Sequence, residues 1–233
     1  MLRLSWWKYL CLFLLIFTHI AGLLLPVPRM DILNESIRNL YFHVPMWFGM
    51  ILLLGTSSAY SVGYLRRGSQ AQDFWAIETA NLGVLMGVLG IVTGMIWANF
   101  TWGEPWSDDP KQNASAIGLL IYFAYFILRG SLTDAQQKAR ISAVYNIFAF
   151  AILIPLLFIL PRLTDSLHPG NGGNPGFNAY DLDSRMRMVF YPAVIGWFLA
   201  GLWVAQLRVR VRKLEAQAEE KLFSNSEVSV PVL

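Results

Sequence analysis

A single cysteine, Cys11, among 233 residues excludes an internal disulfide and any metal cage built from paired thiolates. The chain also contains no C-x-x-C-H stretch, so it has no thioether means of attaching a cofactor to itself. Charge is scarce as well: Asp, Glu, Lys and Arg make up 14% of the residues, against about 25% in ordinary soluble domains. A surface so poor in charge cannot be kept wet over a whole fold. The formal balance is +3, but the 18 basic residues are scattered between apolar blocks. They form no patch of the kind a nucleic acid would need, and no nucleic-acid partner is expected.

Long apolar runs fill the space that charge leaves. Hydrophobic residues account for 55% of the chain, and the mean hydropathy is +0.46. A helix that crosses a bilayer takes about 20 mainly apolar residues. Six stretches qualify, at 6–25, 42–64, 75–97, 115–133, 143–161 and 187–208. The expectation is an all-α polytopic membrane protein, a bundle of six transmembrane helices over residues 1–208, followed by a charged tail at 209–233. The first run has the basic start of a signal peptide, but it reaches Leu25 without a clear small-residue cleavage site. It reads as a retained span.

Six crossings bring both ends of the sequence to one side of the membrane, and the placement of Lys and Arg says which. With the N-terminal end inside, twelve basic residues fall on cytoplasmic segments and six on outer ones, namely Arg29, Arg38, Lys111, Arg162, Arg185 and Arg187. That bias favours an inner-membrane protein with cytoplasmic ends. In the third span Gly83, Gly87, Gly90 and Gly94 share one helical face. Such a stripe lets a neighbouring helix approach closely, and packing is its expected role.

The three outer loops carry the chemistry. The first ends in RNLYFHVPMWFGM (38–50), which sets His43 at a helix mouth near Arg38 and Tyr41. Imidazole there is either a metal ligand or an interfacial group hydrogen-bonded to its surroundings. The second, IWANFTWGEPWSDDPKQNAS (96–115), places Trp97, Trp102 and Trp106 around a Gly-Pro turn. Indole faces in that density suit a flat apolar ligand. Asp109 followed by Pro110 and Gln112 also reads as an N-cap with a capping-box partner for the fourth span. The third loop holds His168 in a Gly-, Asn- and Pro-rich stretch, followed by Arg185 and Arg187. His19, the remaining histidine, sits within the first span and reads as a satisfied intramembrane polar group.

Two imidazoles, an aromatic platform and arginines able to pair with carboxylates together match a planar apolar ligand that carries a metal and two acidic groups. Haem has all of these features, with axial His for iron and Arg for propionates.

The same residues resemble the CcmC family of haem-handling proteins, within the cytochrome c assembly superfamily that includes CcmF and CcsA. Three segments carry the resemblance: R-x-x-Y-x-H-V-P at Arg38, Tyr41, His43, Val44 and Pro45; W-G-x-x-W-x-x-D at Trp102, Gly103, Trp106 and Asp109; and S-L-H ending at His168. Pro105 and Asp108 stand where that family would have further tryptophans, and Asp109-Pro110-Lys111 is closer to the CcsA branch. The resemblance implies transient, non-covalent binding of haem b, with His43 and His168 as axial ligands. It also implies that the Trp-rich loop, the WWD domain, presents haem to the chaperone CcmE, with CcmD and the transporter pair CcmA and CcmB as further partners. The implied role is delivery rather than catalysis. The alternatives are a CcsA-type cytochrome c haem ligase, and a non-haem assembly subunit or permease.

Overall fold

The computed structural model describes residues 5–28, 33–168 and 182–228, so Arg3, Arg29, the Gly- and Asn-rich stretch 169–181 and the end of the tail lie outside the described residues. Six long helices run through the rest: α1 (Trp6–Leu24), α2 (Val44–Arg67), α3 (Gln70–Trp102), α4 (Pro110–Ser131), α5 (Ala135–Phe158) and α6 (Ser184–Val228). All six are long and apolar enough to cross a membrane, and the described residues include no strand. The all-α, six-span reading holds.

All the helices but α1 exceed the apolar runs that announced them, because caps and charged turns extend a helix past the hydrocarbon. Asp109 starts α4 five residues before the expected position of 115, its carboxylate accepting from the amides of Lys111 and Gln112. Asp134 does the same for α5 through Gln137 N. At the other ends, Gly68 (φ 64°) and Gly103 (φ 86°) take the left-handed turn that stops α2 and α3. Past the expected boundary at 208, α6 runs on to Val228, 45 residues in all. At 1.5 Å per residue it is about 68 Å long, more than twice the ~30 Å hydrocarbon core.

Short connections join α2 to α3, α3 to α4 and α4 to α5, and these four close into a ring; α6 packs against its α2–α3 side, and α1 packs against α6. Met50, Leu53, Leu54, Met86, Leu119 and Leu153 meet at its centre as a dry apolar layer. Toward the α2–α3 turn lies a polar layer: Asn146 Nδ2 donates to Ser57 Oγ at 2.7 Å and Ser61 Oγ at 2.8 Å, and Ser57 Oγ donates on to Ala76 O at 2.6 Å. Below it Arg129 grips Asp73 through two bonds of 2.8 and 2.6 Å, and Arg208 and Arg212 both hold the buried Glu78. A hydrocarbon interior leaves such groups no water, so each must find a partner within the bundle.

At the opposite end, a 3-10 turn (Asn34–Tyr41) leads into α2 and buries Ile37 and Tyr41 against Ala21 of α1, Leu182 just before α6, and Met186 and Val189 of α6. This second core fixes the chain just before His43. His19 donates Nδ1 to Leu15 O at 2.7 Å, the satisfied intramembrane group expected from its position.

Candidate functional site

The ring opens at the end bearing the 3-10 turn and the α3–α4 connection, into a cavity of about 270 Å³. That lies near the lower end of the roughly 300–1,000 Å³ typical of small-molecule sites. Its walls are largely apolar, with Phe48 and Ile51 from α2, Ile91 and Met95 from α3, and Leu157 and Phe158 from α5. Into it face both loop histidines, His43 and His168, which are far apart in sequence, together with Trp106.

His43 stands at the N-cap of α2, two residues after the 3-10 turn ends at Tyr41, so its direction follows from the second core beneath it. Its Nδ1 lies 3.0 Å from Thr93 Oγ1, and Trp47 Nε1–H donates to its Nε2 at 3.3 Å. The glycine stripe makes this possible. A Cβ on Gly90 would stand 2.8 Å from the Trp47 ring, and one on Gly94 would stand 2.7 Å from His43 Cε1. The lower half of the stripe has the packing role expected of it, Gly83 against Leu54 and Gly87 against Met50 and Leu119. Its upper half seats two aromatic rings of the site.

His168 is positioned from α4. Its Nδ1 is 2.9 Å from Asp109 Oδ1, and the other carboxylate oxygen accepts from Ser166 Oγ and Leu167 N, both at 2.7 Å. Burial alone would raise the Asp109 pKa; the His168 hydrogen bond and charge, then Ser166 and the Leu167 amide, reverse that and hold the carboxyl well below the usual carboxylate range. Asp109 therefore caps α4 and anchors the third loop with one side chain. Gln112 departs from the expected capping box: its Oε1 accepts from Ser107 N at 2.9 Å rather than from the amide of Asp109, tying down the Trp-rich loop instead.

The tryptophans divide. Trp106 lines the cavity, while Trp102 packs edge-on against His168 (4.8 Å between centroids) and Trp97 against Trp102 (5.3 Å). Two of the three thus back the imidazole from outside the cavity.

The arginines and Tyr41 also stand away from the cavity lining. Arg38 donates Nη1 to Gly22 O at 2.9 Å and Leu25 O at 2.6 Å, and Nε to Glu35 at 2.6 Å, which satisfies the C-terminal carbonyls of α1. Tyr41 is buried in the second core. Arg187 Nε donates to Leu182 O at 2.9 Å, and Arg185 is exposed at the start of α6. Among the described residues, the cations that line the cavity are Lys111 and Arg162, with Gln112 and Ser115 beside them. In the sequence Lys111 and Arg162 bear only on the orientation of the chain, although both flank the segments that hold Trp106 and His168. Trp47 and Thr93 had no signal beyond their spacing from His43 and from the glycine stripe.

The family model described as CcmC, heme exporter protein C, matches residues 2–224. Among curated proteins, the chain is 37% identical over 93 residues to the cytochrome c biogenesis protein CcsA of Pelargonium hortorum, covering 40% of this chain and 29% of the relative. It is 27% identical over 165 residues to the CcsA of Atropa belladonna, covering 68% of this chain and 52% of the relative. To the CcsA of Arabidopsis thaliana it is 27% identical over 139 residues, covering 59% and 42%. The chain thus spans about half or less of the length of these relatives.

Proposed function

Because the chain belongs to the CcmC heme exporter protein C family, in the superfamily of cytochrome c biogenesis proteins that includes CcsA, we propose that it holds haem b transiently in the cavity and hands it to a membrane-tethered acceptor. The observation that carries this reading is the convergence of His43 and His168 on one largely apolar cavity. In each imidazole Nδ1 is turned to an oxygen, which leaves Nε2 as the nitrogen to meet a metal, in competition with Trp47 Nε1–H at His43.

The residues present fit such a cargo. Apolar walls and Trp106 take the macrocycle, and Lys111 and Arg162, which line the cavity as Arg38 does not, are placed to meet carboxylates. In the handover only coordination bonds to iron are exchanged and the haem itself is left unchanged, so the chain acts as a carrier rather than an enzyme. Placing the cavity end outside the inner membrane follows the distribution of Lys and Arg. In this family setting the acceptor is CcmE, with CcmD and the CcmA and CcmB transporter pair as partners.

Similarity to CcsA proteins favours one second reading, in which the haem is joined to an apocytochrome. The two separate by experiment. Protein purified in detergent should show a Soret band that the double variant His43→Ala/His168→Ala lacks; an unchanged spectrum removes the haem site. Co-expression with CcmE should yield haem-loaded CcmE. Covalent cytochrome c formed with apocytochrome in the absence of CcmE would establish the ligase reading instead.

A further inference from the structure

The two imidazoles facing the cavity are held in opposite ways. For His168 the partner is a carboxylate, which only accepts, so Nδ1 carries the proton and Nε2 carries the lone pair. Asp109 is itself 4% exposed and pinned by four further donors: the amides of Lys111, Gln112 and Leu167 and the hydroxyl of Ser166. Among the described residues no donor meets His168 Nε2. A carboxylate behind an imidazole fixes its tautomer and makes it the more basic ligand.

For His43 the partner is a neutral hydroxyl. Thr93 Oγ1 donates its own hydrogen to Leu89 O at 2.7 Å, so it accepts from His43 Nδ1. The Nε2 lone pair of His43 is therefore the one that accepts from Trp47 Nε1–H. A ring nitrogen has a single in-plane lone pair, which serves an indole N–H or a metal but not both. Trp47 lies one turn after His43 on the same helix face, and Gly90 and Gly94 press both rings against α3. The competing donor is built into the site.

We infer that the two histidines are unequal ligands: His168 is the standing one, and His43 is the exchangeable one, released when Trp47 recaptures its nitrogen. This rests on the haem reading above and says where an incoming nitrogen ligand from the acceptor enters, on the His43 side of the metal. Trp47 is then a positioning residue that eases release, and Asp109 one that resists it.

The test uses the full chain, purified in detergent and loaded with ferric haem b. Wild type should be six-coordinate and low-spin. His43→Ala should keep its haem as a high-spin species that added imidazole returns to low-spin, whereas His168→Ala should bind haem at least about tenfold more weakly. Trp47→Phe keeps an aromatic ring over Gly90 but loses the N–H, and transfer of haem to excess apomyoglobin should slow by about fivefold, the worth of one neutral hydrogen bond. A further readout is imidazole titration of wild type, whose end-point spectrum should coincide with that of His43→Ala plus imidazole. Equal haem loss in the two histidine variants, an end point matching His168→Ala, or unslowed transfer from Trp47→Phe would overturn the asymmetry while leaving the haem site standing. A wild type that takes up no haem would sink both.

Discussion

Asp109 shows how one side chain can serve the fold and the site together. Its carboxylate accepts from two amides of α4, from the third loop and from His168, five donors in all. Losing an N-cap alone costs about 1 kcal/mol, and buried donors left without a partner add to that. The pH dependence follows from the direction of its shift. A carboxyl held below its ordinary value stabilises the fold fully above that value, and the contribution disappears as pH falls through the folded pKa. Asp109→Asn should therefore melt below wild type at neutral pH, by an amount constant down to about pH 5, and the gap should narrow only below about pH 4. Thermal melts in detergent across that range measure it, and a gap that closes between pH 7 and 5 would contradict the assignment.

Among the elements, α3 is the spine. Its upper face seats Trp47 and His43 through Gly90 and Gly94, and its lower end is clamped to α4 by Asp73–Arg129 and to α6 by Glu78 with Arg208 and Arg212. Glu78 is 1% exposed. A buried carboxylate stripped of its partners is far costlier than a buried amide that can still hydrogen-bond, by up to about 3–5 kcal/mol in fully buried cases. Because both arginines are partly exposed, the smaller end of that range is expected here. Arg208→Ala/Arg212→Ala should lower the detergent melting temperature more than Glu78→Gln does. The reverse order would show that the arginines, not Glu78, need the pair. The clamp also explains why α6 runs on as helix where the apolar pattern stops.

For the whole molecule, the ring of α2 to α5 divides into a cavity at one end, a dry layer of Met and Leu, and a charged layer at the other. That polarity makes orientation the decisive property. If the cavity end faces outward, a single cysteine at Ser107 on a Cys11→Ser background should react with a membrane-impermeant maleimide in intact cells, and one at Ser69, in the α2–α3 turn, should not. Labelling only at Ser69 would invert the molecule and place the cavity on the cytoplasmic side.

Composition and apolar periodicity determined that the chain is six membrane helices, because hydrocarbon thickness fixes the length of a span and lipid forbids unpaired backbone. The chain's local chemistry also announced the cap at Asp109, which depends only on residues a turn away. His43 was legible as a candidate because a polar ring at a helix mouth is conspicuous against apolar sequence, and His168 because it sits in a Gly-, Asn- and Pro-rich outer loop. What surrounds them was not. That Arg38 closes the end of α1, that Trp102 backs His168 rather than facing the cavity, and that Lys111 and Arg162 face it instead are decided by contacts across long stretches of sequence. Side-chain direction at a loop depends on which helix packs beneath it, and only the tertiary structure contains that information. The glycine stripe shows both halves: its spacing declared a close approach, and the fold decided that two of the four approaches are made by Trp47 and His43.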